Sequence, residues 1–301
     1  METKAKIVVL GMFDGMHTGH ASLFFAACSK KKECNLDILA YTFRNHPAEL
    51  IRGKKPKLIL TNKEREQMLY AAGASEVVMD EFTHELSAMS ADDFAQMLKT
   101  RFCAHTVVAG FNYTFAKEGK GTPEILVGLG KKYGFSVHIS DPVLYLGEPV
   151  SSTRIRRAVE QGDVCSANAM LGYPYRMSGV VERCKQIGRT IGFPTANIRN
   201  CDGKPLPLFG VYLTRVKLGE RTFFGVTNVG TNPTFGENDI SVETHIFDFC
   251  EDIYGEYIQV EFLQFIREQK RFSSVDELKM QIDSDCKTAL SLTVDAAKSN
   301  H

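Results

Sequence analysis

Short apolar runs alternate with amphipathic helices through the first half of the chain, and this alternation constrains the fold more than any other feature. The run Ile7-Val8-Val9-Leu10 ends at Gly11 and is typical of a buried parallel strand. Thr61 and Glu64 have the spacing of a capping box, which predicts a helix that ends near Gly73. Further strands are predicted at residues 36–42, 76–79, 105–109 and 135–139, and further helices at residues 20–32, 91–101 and 122–133. This order predicts βαβ units and a doubly wound, mainly parallel sheet.

The pattern changes near residue 170, where short strands separated by Gly, Pro and Asn turns replace the alternation. Residues 258–262 alternate between apolar and polar, as in a strand with one buried face. Ser274 and Glu277 form a second capping-box pattern and predict a terminal helix. The apolar stripe of that helix comprises Val275, Leu278, Ile282, Cys286 and Leu290. We therefore expect an α/β domain over residues 1–167 and an antiparallel barrel or sandwich over residues 168–301.

A chain of 301 residues is long enough for two such domains. Lys and Arg number 36, as do Asp and Glu, and this balance argues against partners such as nucleic acid or an anionic membrane. The apolar run near the N-terminus is broken by Asp14, His17 and His20, so we expect neither a signal peptide nor a membrane helix. The eight cysteines lack zinc-ligand spacing and predict free thiols in a cytoplasmic protein. The oligomeric state stays open.

The segment from Gly11 to His20 joins the first strand to the first helix and has the composition of a phosphate-binding loop. Glycines allow close approach of the backbone to a ligand, and a helix N-terminus offers free N–H groups to phosphate. His17 and His20 are three residues apart and suit the charge that develops on an α-phosphate during nucleotidyl transfer. The catalytic candidates are therefore these two histidines. The ATP-binding candidates of the loop are Gly11, Phe13, Asp14 and Gly15.

A second phosphate-binding pattern opens the last helix of this domain. Its hydroxyl side chains suit phosphate, and Arg156 can form a two-pronged contact with the β- and γ-groups. The candidates are Ser151, Ser152, Thr153 and Arg156. Together with the histidine pair, this pattern resembles the nucleotidyltransferase superfamily with an H-x-G-H signature, which implies a Rossmann-like fold.

Two intervening segments narrow the resemblance to bacterial bifunctional riboflavin kinase/FAD synthetases. Residues 42–47 (TFRNHP) resemble the T-F-x-P-H-P segment of that family, with Asn45 where proline is usual. Residues 110–115 (GFNYTF) resemble its G-x-[DN]-F-x-F-G loop, with Ala116 in place of the last glycine. The resemblance implies that His46 and Asn112 contact the flavin and that this domain transfers AMP from ATP to FMN.

Residues 188–198 (GRTIGFPTANI) resemble the G-R-x-[IL]-G-[FY]-P-T-A-N motif of riboflavin kinases. Thr195 and Asn197 present neutral oxygens at alternate positions, and such oxygens suit Mg²⁺ with its bound phosphates. We expect both residues to bind ATP and the metal, and we expect Gly188 and Arg189 to bind phosphate. The same family carries glycine in the preceding flap where this chain has Cys184, and this change is expected to affect the kinase site.

Residues 241–249 (SVETHIFDF) match the V-E-x-H-[IL]-x-D-F strand of the family. Alternation places Glu243 and His245 on one face and Val242 and Ile246 on the other. The resemblance implies that Glu243 is the general base and that Arg267 lies near the flavin, in an antiparallel barrel with a C-terminal helix.

The resemblance as a whole implies an enzyme that phosphorylates riboflavin to FMN and adenylylates FMN to FAD with release of pyrophosphate. Riboflavin, FMN and MgATP would be its small-molecule partners, with flavins as substrate and product. Three alternatives remain open from the residues. The enzyme could retain only one activity, with an impaired kinase; it could be a non-catalytic flavin-binding regulator; or it could adenylylate another phosphate ester.

Overall fold

A five-stranded parallel sheet forms the centre of the first part of the chain. Its strands are β1 (Lys6–Leu10), β2 (Asp37–Phe43), β3 (Glu76–Asp80), β4 (Ala104–Gly110) and β5 (Ser136–Ser140). They lie in the order β3-β2-β1-β4-β5, and every neighbouring pair is parallel. The direction of strand addition reverses between β1 and β4, as in a doubly wound sheet. The predicted α/β fold is confirmed.

The helices of this part are α1 (Thr18–Cys34), α2 (Pro47–Arg52), α3 (Asn62–Ala71), α4 (His84–Ala88), α5 (Ala91–Arg101) and α6 (Pro123–Tyr133). The capping box of α3 is confirmed, since the Glu64 amide donates to the Thr61 hydroxyl at 3.2 Å and the Thr61 amide donates to the Glu64 carboxylate at 2.8 Å. Helices α2 and α4 were not predicted, because five or six residues are too few to show a helical period.

Apolar side chains of β1 point alternately to the two faces of the sheet, and helices cover both. Ile7 and Val9 pack with buried residues of α1 and α3, whereas Val8 and Leu10 pack with buried residues of α5 and α6. This arrangement explains the unbroken apolar run, because a strand buried on both faces has no polar side.

The computed structural model describes residues 4–183, 188, 191–198, 203–231 and 240–298. The chain divides into two compact units, Met1–Ser152 and Thr153–His301. A short hairpin of β6 (Leu144–Tyr145) and β7 (Glu148–Pro149) precedes α7 (Ser152–Glu160) and α8 (Val164–Leu171). The expected domain boundary after residue 167 stays a prediction.

The second unit contains a closed barrel. Its strands are β8 (Tyr175–Glu182), β9 (Ala196–Ile198), β10 (Gly210–Leu218), β11 (Arg221–Thr231), β12 (Ile240–Ile246) and β13 (Tyr257–Glu268). They close in the order β10-β11-β12-β9-β8-β13, and the neighbouring pairs are antiparallel. The expected antiparallel barrel is confirmed.

Helix α9 (Val275–Lys298) follows the barrel. The Glu277 amide donates to the Ser274 hydroxyl at 3.2 Å, as the predicted capping box requires. The Glu277 carboxylate, however, accepts the amide of Ser273 instead of the amide of Ser274, so only one of the two predicted bonds of the box forms. The predicted apolar stripe is wrong at its ends, where Val275 is 59% and Leu290 48% exposed. The buried face is instead centred on Asp285 and Ala289, because contact with the barrel decides which side of a helix is covered.

Candidate active sites

The loop between β1 and α1 has a backbone that only a few sequences can adopt. Phe13 and Met16 have positive φ values of 54° and 34°, and Gly15 has a φ of 83°. A β-carbon at Gly11 would lie 2.7 Å from the Phe13 ring, so this position requires glycine. The loop therefore runs tightly from the carboxyl end of β1 into the N-terminus of α1, and the free N–H groups of a helix N-terminus favour anions in general.

His17 and His20 form a stacked pair at the start of α1. Their ring centroids are 3.7 Å apart with an interplanar angle of 17°, and the His20 amide donates to His17 Nδ1 at 3.3 Å. Because Nδ1 of His17 accepts this bond, a neutral His17 carries its proton on Nε2. His20 Nδ1 is buried and has no hydrogen-bond partner among the described residues. The sequence prediction that the two rings lie together at the helix start is confirmed.

Both histidines are held in their neutral form. Burial lowers the pKa of His17 to about 4. Burial also lowers the pKa of His20 well below its ordinary value, with smaller contributions from the positive charges of His17 and Arg65. Near pH 7 the two imidazole groups are therefore neutral. A positive charge on either ring would develop only when a phosphate binds or in the transition state.

The side chains of Phe13 and Asp14 are used inside the fold. The Asp14 carboxylate is 1% exposed and accepts the amides of Ile59 at 2.8 Å and Leu60 at 3.4 Å. Phe13 is fully buried. An ATP-binding role of these two residues would therefore involve their backbone. The ATP-binding roles of Gly11, Phe13, Asp14 and Gly15 all stay predictions.

Ser152 connects the histidine loop to the start of α7. Its hydroxyl donates to the Asp14 carbonyl at 2.7 Å, which places a predicted phosphate-binding serine beside that loop. Ser151 immediately precedes the helix, and Thr153 and Arg156 lie in its first turns, beyond the division between the two units. Their phosphate-binding roles stay predictions.

The two expected flavin residues of this unit lie in loops after β2 and β4. His46 caps α2, since its Nδ1 accepts the Ala48 amide at 3.1 Å. Asn112 is exposed, in the turn where the Tyr113 amide donates to the Gly110 carbonyl at 3.0 Å. Both loops follow the carboxyl ends of strands that flank β1, which is the edge where doubly wound sheets bind ligands.

Arg65 was not identified from the sequence, yet it supports the histidine loop. It is fully buried in α3, and its guanidinium donates to the Met12 carbonyl at 2.9 Å and also to the Phe43 carbonyl. Burial lowers its pKa to about 10. A signal was present: Arg65 lies four residues before the buried Leu69, so a helical period places the arginine on the apolar face.

In the second unit, three polar side chains lie side by side on neighbouring strands of the barrel. Glu243 on β12 lies directly opposite Asn197 on β9 and Asn228 on β11. Opposed residues of an antiparallel pair share a face, so these side chains point outwards together. Val242 and Thr244 are fully buried and Ile246 is 5% exposed, which confirms the predicted alternation of this strand.

Two cavities meet at Thr195. The larger, of about 330 Å³, includes Thr195, Asn228, Ser241, Glu243, His245 and Arg267 in its lining. The smaller, of about 220 Å³, includes Thr195, Asn197, Phe249, Cys250, Asp252 and Tyr254. Asn228 and Ser241 were not identified as site residues from the sequence. Asn228 lies on the same sheet face as Val226, two residues earlier, and as its cross-strand neighbour Val211, and all three line the larger cavity.

Asn197 has an oxygen suited to a ligand. Its Nδ2 donates to the Thr195 hydroxyl at 3.2 Å, while its Oδ1 is buried and has no hydrogen-bond partner among the described residues. An unsatisfied buried carbonyl oxygen beside a hydroxyl matches the hard oxygen ligands that Mg²⁺ prefers. Thr195 and Asn197 therefore fit the expected metal.

Glu243 is oriented by a neighbouring hydroxyl. Ser241 is 6% exposed and donates to Glu243 Oε1 at 3.2 Å. His245, two residues further along the same face, hydrogen-bonds through Nδ1 to the Pro194 carbonyl at 2.9 Å. These contacts orient the carboxylate and join β12 to the Pro194–Thr195 segment, and Thr195, Glu243 and His245 all line the larger cavity.

Arg267 lines the larger cavity, but its guanidinium is bound by protein groups. Nε and Nη2 donate to Asp285 at 2.9 and 2.6 Å, and Nη1 donates to the Glu268 carbonyl at 2.9 Å. Asp285 is 3% exposed and belongs to α9. Arg267 thus connects the barrel to the helix, and its expected contact with the flavin stays a prediction.

Gly188 is needed for the turn before β9. The amides of Ile191 and Phe193 donate to its carbonyl at 3.2 and 2.8 Å, and a β-carbon there would press on the Phe193 carbonyl oxygen. Arg189 and Cys184 lie outside the described residues.

The two sites define the class of protein: a transferase that joins a nucleotide-binding α/β domain to a kinase-type barrel. The FAD synthetase family matches residues 1–154, and the riboflavin kinase family matches residues 171–293. The chain belongs to the family of bifunctional riboflavin kinase/FMN adenylyltransferases.

Curated relatives of that description support the assignment over nearly the whole chain. The one from Listeria monocytogenes is 33% identical, with 93% of this chain and 90% of the relative covered. The one from Escherichia coli K12 is 34% identical, with 94% and 91% covered.

A solved structure supports the same fold. A protein from Streptococcus pneumoniae described as a macrolide-efflux protein superposes with a TM-score of 0.89 at 36% identity, with 96% of this chain and 95% of the other covered. Among the helices described for this chain, none combines the length and apolar character needed to cross a membrane.

Proposed function

We propose that the chain phosphorylates riboflavin to FMN with ATP in its barrel and adenylylates FMN to FAD with a second ATP in its α/β domain, releasing pyrophosphate. The observation that carries the proposal is the arrangement around Thr195, where two cavities meet beside Glu243 and Asn197. A phosphoryl transfer needs an acceptor, a nucleotide and a base at one point.

For the kinase reaction, riboflavin occupies the larger cavity and the nucleotide the smaller one. Glu243 accepts the proton of the ribityl 5′-hydroxyl as its oxygen attacks the γ-phosphorus. The bond between that phosphorus and the β–γ bridging oxygen breaks, and ADP leaves. Ser241 supports this role because its hydroxyl donates to Glu243 Oε1 and so orients the carboxylate beside the larger cavity.

Thr195 and Asn197 would hold Mg²⁺, which would offset the negative charge of the nucleotide phosphates. The unsatisfied Asn197 Oδ1 supports this assignment. In the same proposal, Gly188 and Arg189 bind phosphate.

For the adenylyl transfer, an FMN phosphate oxygen attacks the α-phosphorus of ATP and pyrophosphate leaves. His17 and His20 stabilise the charge that develops at the α-phosphate, together with backbone N–H groups of the loop. Ser151, Ser152, Thr153 and Arg156 contact the phosphates, and His46 and Asn112 contact the flavin. The buried, unsatisfied His20 Nδ1 supports a polar ligand at this place.

Incubation with riboflavin, ATP and Mg²⁺, followed by chromatography of the flavins over time, tests the proposal. FMN that precedes FAD supports it. FAD formed only from added FMN would show that the kinase is lost. Flavin binding without turnover would identify a flavin-binding regulator, and no reaction with flavins would leave an adenylyltransferase of another phosphate ester.

A fragment of residues 168–301 tests the domain assignment. We expect it to form FMN and no FAD, because it contains the closed barrel with α9 and both kinase cavities. A folded fragment that binds neither riboflavin nor ADP would contradict the assignment.

We also propose a cytoplasmic location, which fits the use of ATP and the free thiols of Cys28, Cys34, Cys103, Cys165, Cys250 and Cys286.

A further inference from the structure

A side-chain amide holds the loop after β2 to the loop after β3. Asn45 Nδ2 donates to the Phe82 carbonyl at 3.0 Å, and the Phe82 amide donates to Asn45 Oδ1 at 2.7 Å. One side chain thus satisfies both backbone groups of one residue, as a neighbouring strand would do. We call this pair of bonds the Asn45 clasp.

The clasp continues the ladder between β2 and β3 beyond the ends of the strands. The last paired residues are Phe43 and Asp80, and the Arg44 amide still donates to the Asp80 carbonyl at 2.8 Å. Asn45 then makes the next step with its side chain. The rings of Phe43 and Phe82 also meet edge to face, with centroids 5.1 Å apart.

The Phe82 side of the clasp is firmly anchored. The carboxylate of Asp80, two residues earlier, accepts the Tyr41 hydroxyl at 3.0 Å and Nη2 of Arg101 at 2.9 Å. The pairing lowers the pKa of Asp80, with the hydrogen bond from Arg101 as its largest cause. Asn45 therefore binds to a fixed point rather than to a free loop.

The other side of the same segment is attached to the histidine loop. The Thr42 hydroxyl donates to the Met12 carbonyl at 3.0 Å, and Arg65 bonds to the carbonyls of both Met12 and Phe43. His46, the residue after Asn45, caps α2 because its Nδ1 accepts the Ala48 amide at 3.1 Å. Residues 42–46 are thus bonded to the histidine loop on one side and to Phe82 on the other.

We propose that Asn45 is a positioning residue for the adenylyl-transfer site: the clasp fixes the backbone before His46 and thereby the position of the His46 imidazole ring. The inference rests on the proposed adenylyltransferase function. The proline that is usual in the resembling motif restricts φ but has no side chain that could make either bond. This chain therefore fixes the segment by a cross-loop contact instead of a ring.

The clasp should affect binding more than the chemical step. Without it, residues 44–46 would have more conformations to lose when FMN binds, and this ordering cost weakens affinity. Two hydrogen bonds of ordinary net strength correspond to a change of about 10-fold. We expect Asn45→Ala to raise KM for FMN in FAD formation by about 10-fold while kcat changes less than about 3-fold.

The experiment compares the parent chain with Asn45→Ala, Asn45→Asp and Thr83→Ala. The aspartate can still accept from the Phe82 amide but cannot donate to its carbonyl, so its KM should be intermediate. Thr83→Ala is the matched control. Thr83 adjoins Phe82, and its replacement removes the bond that the Leu86 amide donates to the Thr83 hydroxyl but leaves the clasp intact. Riboflavin phosphorylation by each chain measures the concentration of intact barrel, and far-UV circular dichroism of each full chain, compared with the parent, reports whether the α/β domain is folded.

Hydrogen exchange at the Phe82 amide reports the clasp directly and does not depend on activity. We expect faster exchange in Asn45→Ala and parental exchange in Thr83→Ala. An unchanged KM for FMN in Asn45→Ala, or an equal rise in Thr83→Ala, would overturn the positioning role. A parent chain that makes no FAD from FMN would instead overturn the proposed function, and the positioning role with it.

Discussion

The imidazole ring of His17 lies stacked on that of His20, with 3.7 Å between the ring centroids. At this separation the two rings cannot both carry a charge without cost, because two adjacent imidazolium groups repel each other. Burial is the main reason that the pKa of each ring is lowered, and the pair therefore links the ionisation of the site to the stability of α1.

Replacement of either histidine should separate the two activities. We expect His17→Ala or His20→Ala to lower FAD formation from FMN by about 10²–10³-fold, as loss of one transition-state donor does. FMN formation by the same chain should stay near the parental rate. An equal loss of both activities would show that the histidines support folding rather than one site.

Acidic pH should destabilise the α/β domain through His17. Its pKa is lowered from 6.5 to about 4, so the unfolded chain takes up the proton first, and the folded state loses about 3 kcal/mol as pH falls between these values. The stability is fully present above pH 6.5. Exchange of α1 amides at a series of pH values measures it.

His17→Asn retains a helix-capping side chain and removes the titrating ring. The pH dependence of α1 exchange should be weaker in this variant. His84→Asn, at an exposed position, is the control and should behave like the parent. An unchanged pH dependence in His17→Asn would assign the effect to other groups.

Glu243→Gln should remove most riboflavin phosphorylation. Gln has a similar shape but cannot accept the hydroxyl proton, so kcat at saturating MgATP should fall by about 10²–10⁴-fold. Adenylylation of added FMN should be unchanged. A near-parental kcat would remove the base from the mechanism and leave positioning and Mg²⁺ to explain catalysis.

Thr195→Ala and Asn197→Asp should impair the same reaction in a different way. Both change the oxygens proposed to hold Mg²⁺ and the nucleotide, so we expect a raised KM for ATP that higher Mg²⁺ or nucleotide partly corrects. The Glu243→Gln defect should not respond to either. Titration of initial FMN rates against Mg²⁺ distinguishes the two cases, and an Asn197→Asp defect that resists Mg²⁺ would contradict the assignment.

The ion pair between Arg267 and Asp285 should stabilise the contact between the barrel and α9. Asp285→Ala leaves a largely buried guanidinium without its partner and should lower the free energy of unfolding by about 3–5 kcal/mol. The double variant Arg267→Met/Asp285→Leu should recover most of this loss. Urea unfolding followed by the circular dichroism of the 168–301 fragment measures both, and a double variant as unstable as the single one would contradict the explanation.

Local patterns were sufficient for most elements of the α/β domain. The apolar run of β1 predicted a strand covered on both faces, and the Thr61–Glu64 capping box marked the start of α3. The alternation of β12 also placed Glu243 opposite a buried face correctly. Each of these features depends on residues within a few positions of one another, so the sequence alone contains the information.

The tertiary structure alone decided the contacts between residues far apart in the chain. Arg65 reaches Met12, and Arg267 reaches Asp285, because folding brings together segments whose spacing in sequence carries no period. The exposure of Val275 and Leu290 likewise depends on where the barrel touches α9. Sequence thus determined the elements, the family and the chemical types of the site residues. Tertiary packing determined which side chains keep free polar atoms for a ligand, since burial and long-range hydrogen bonds exist only in the folded chain.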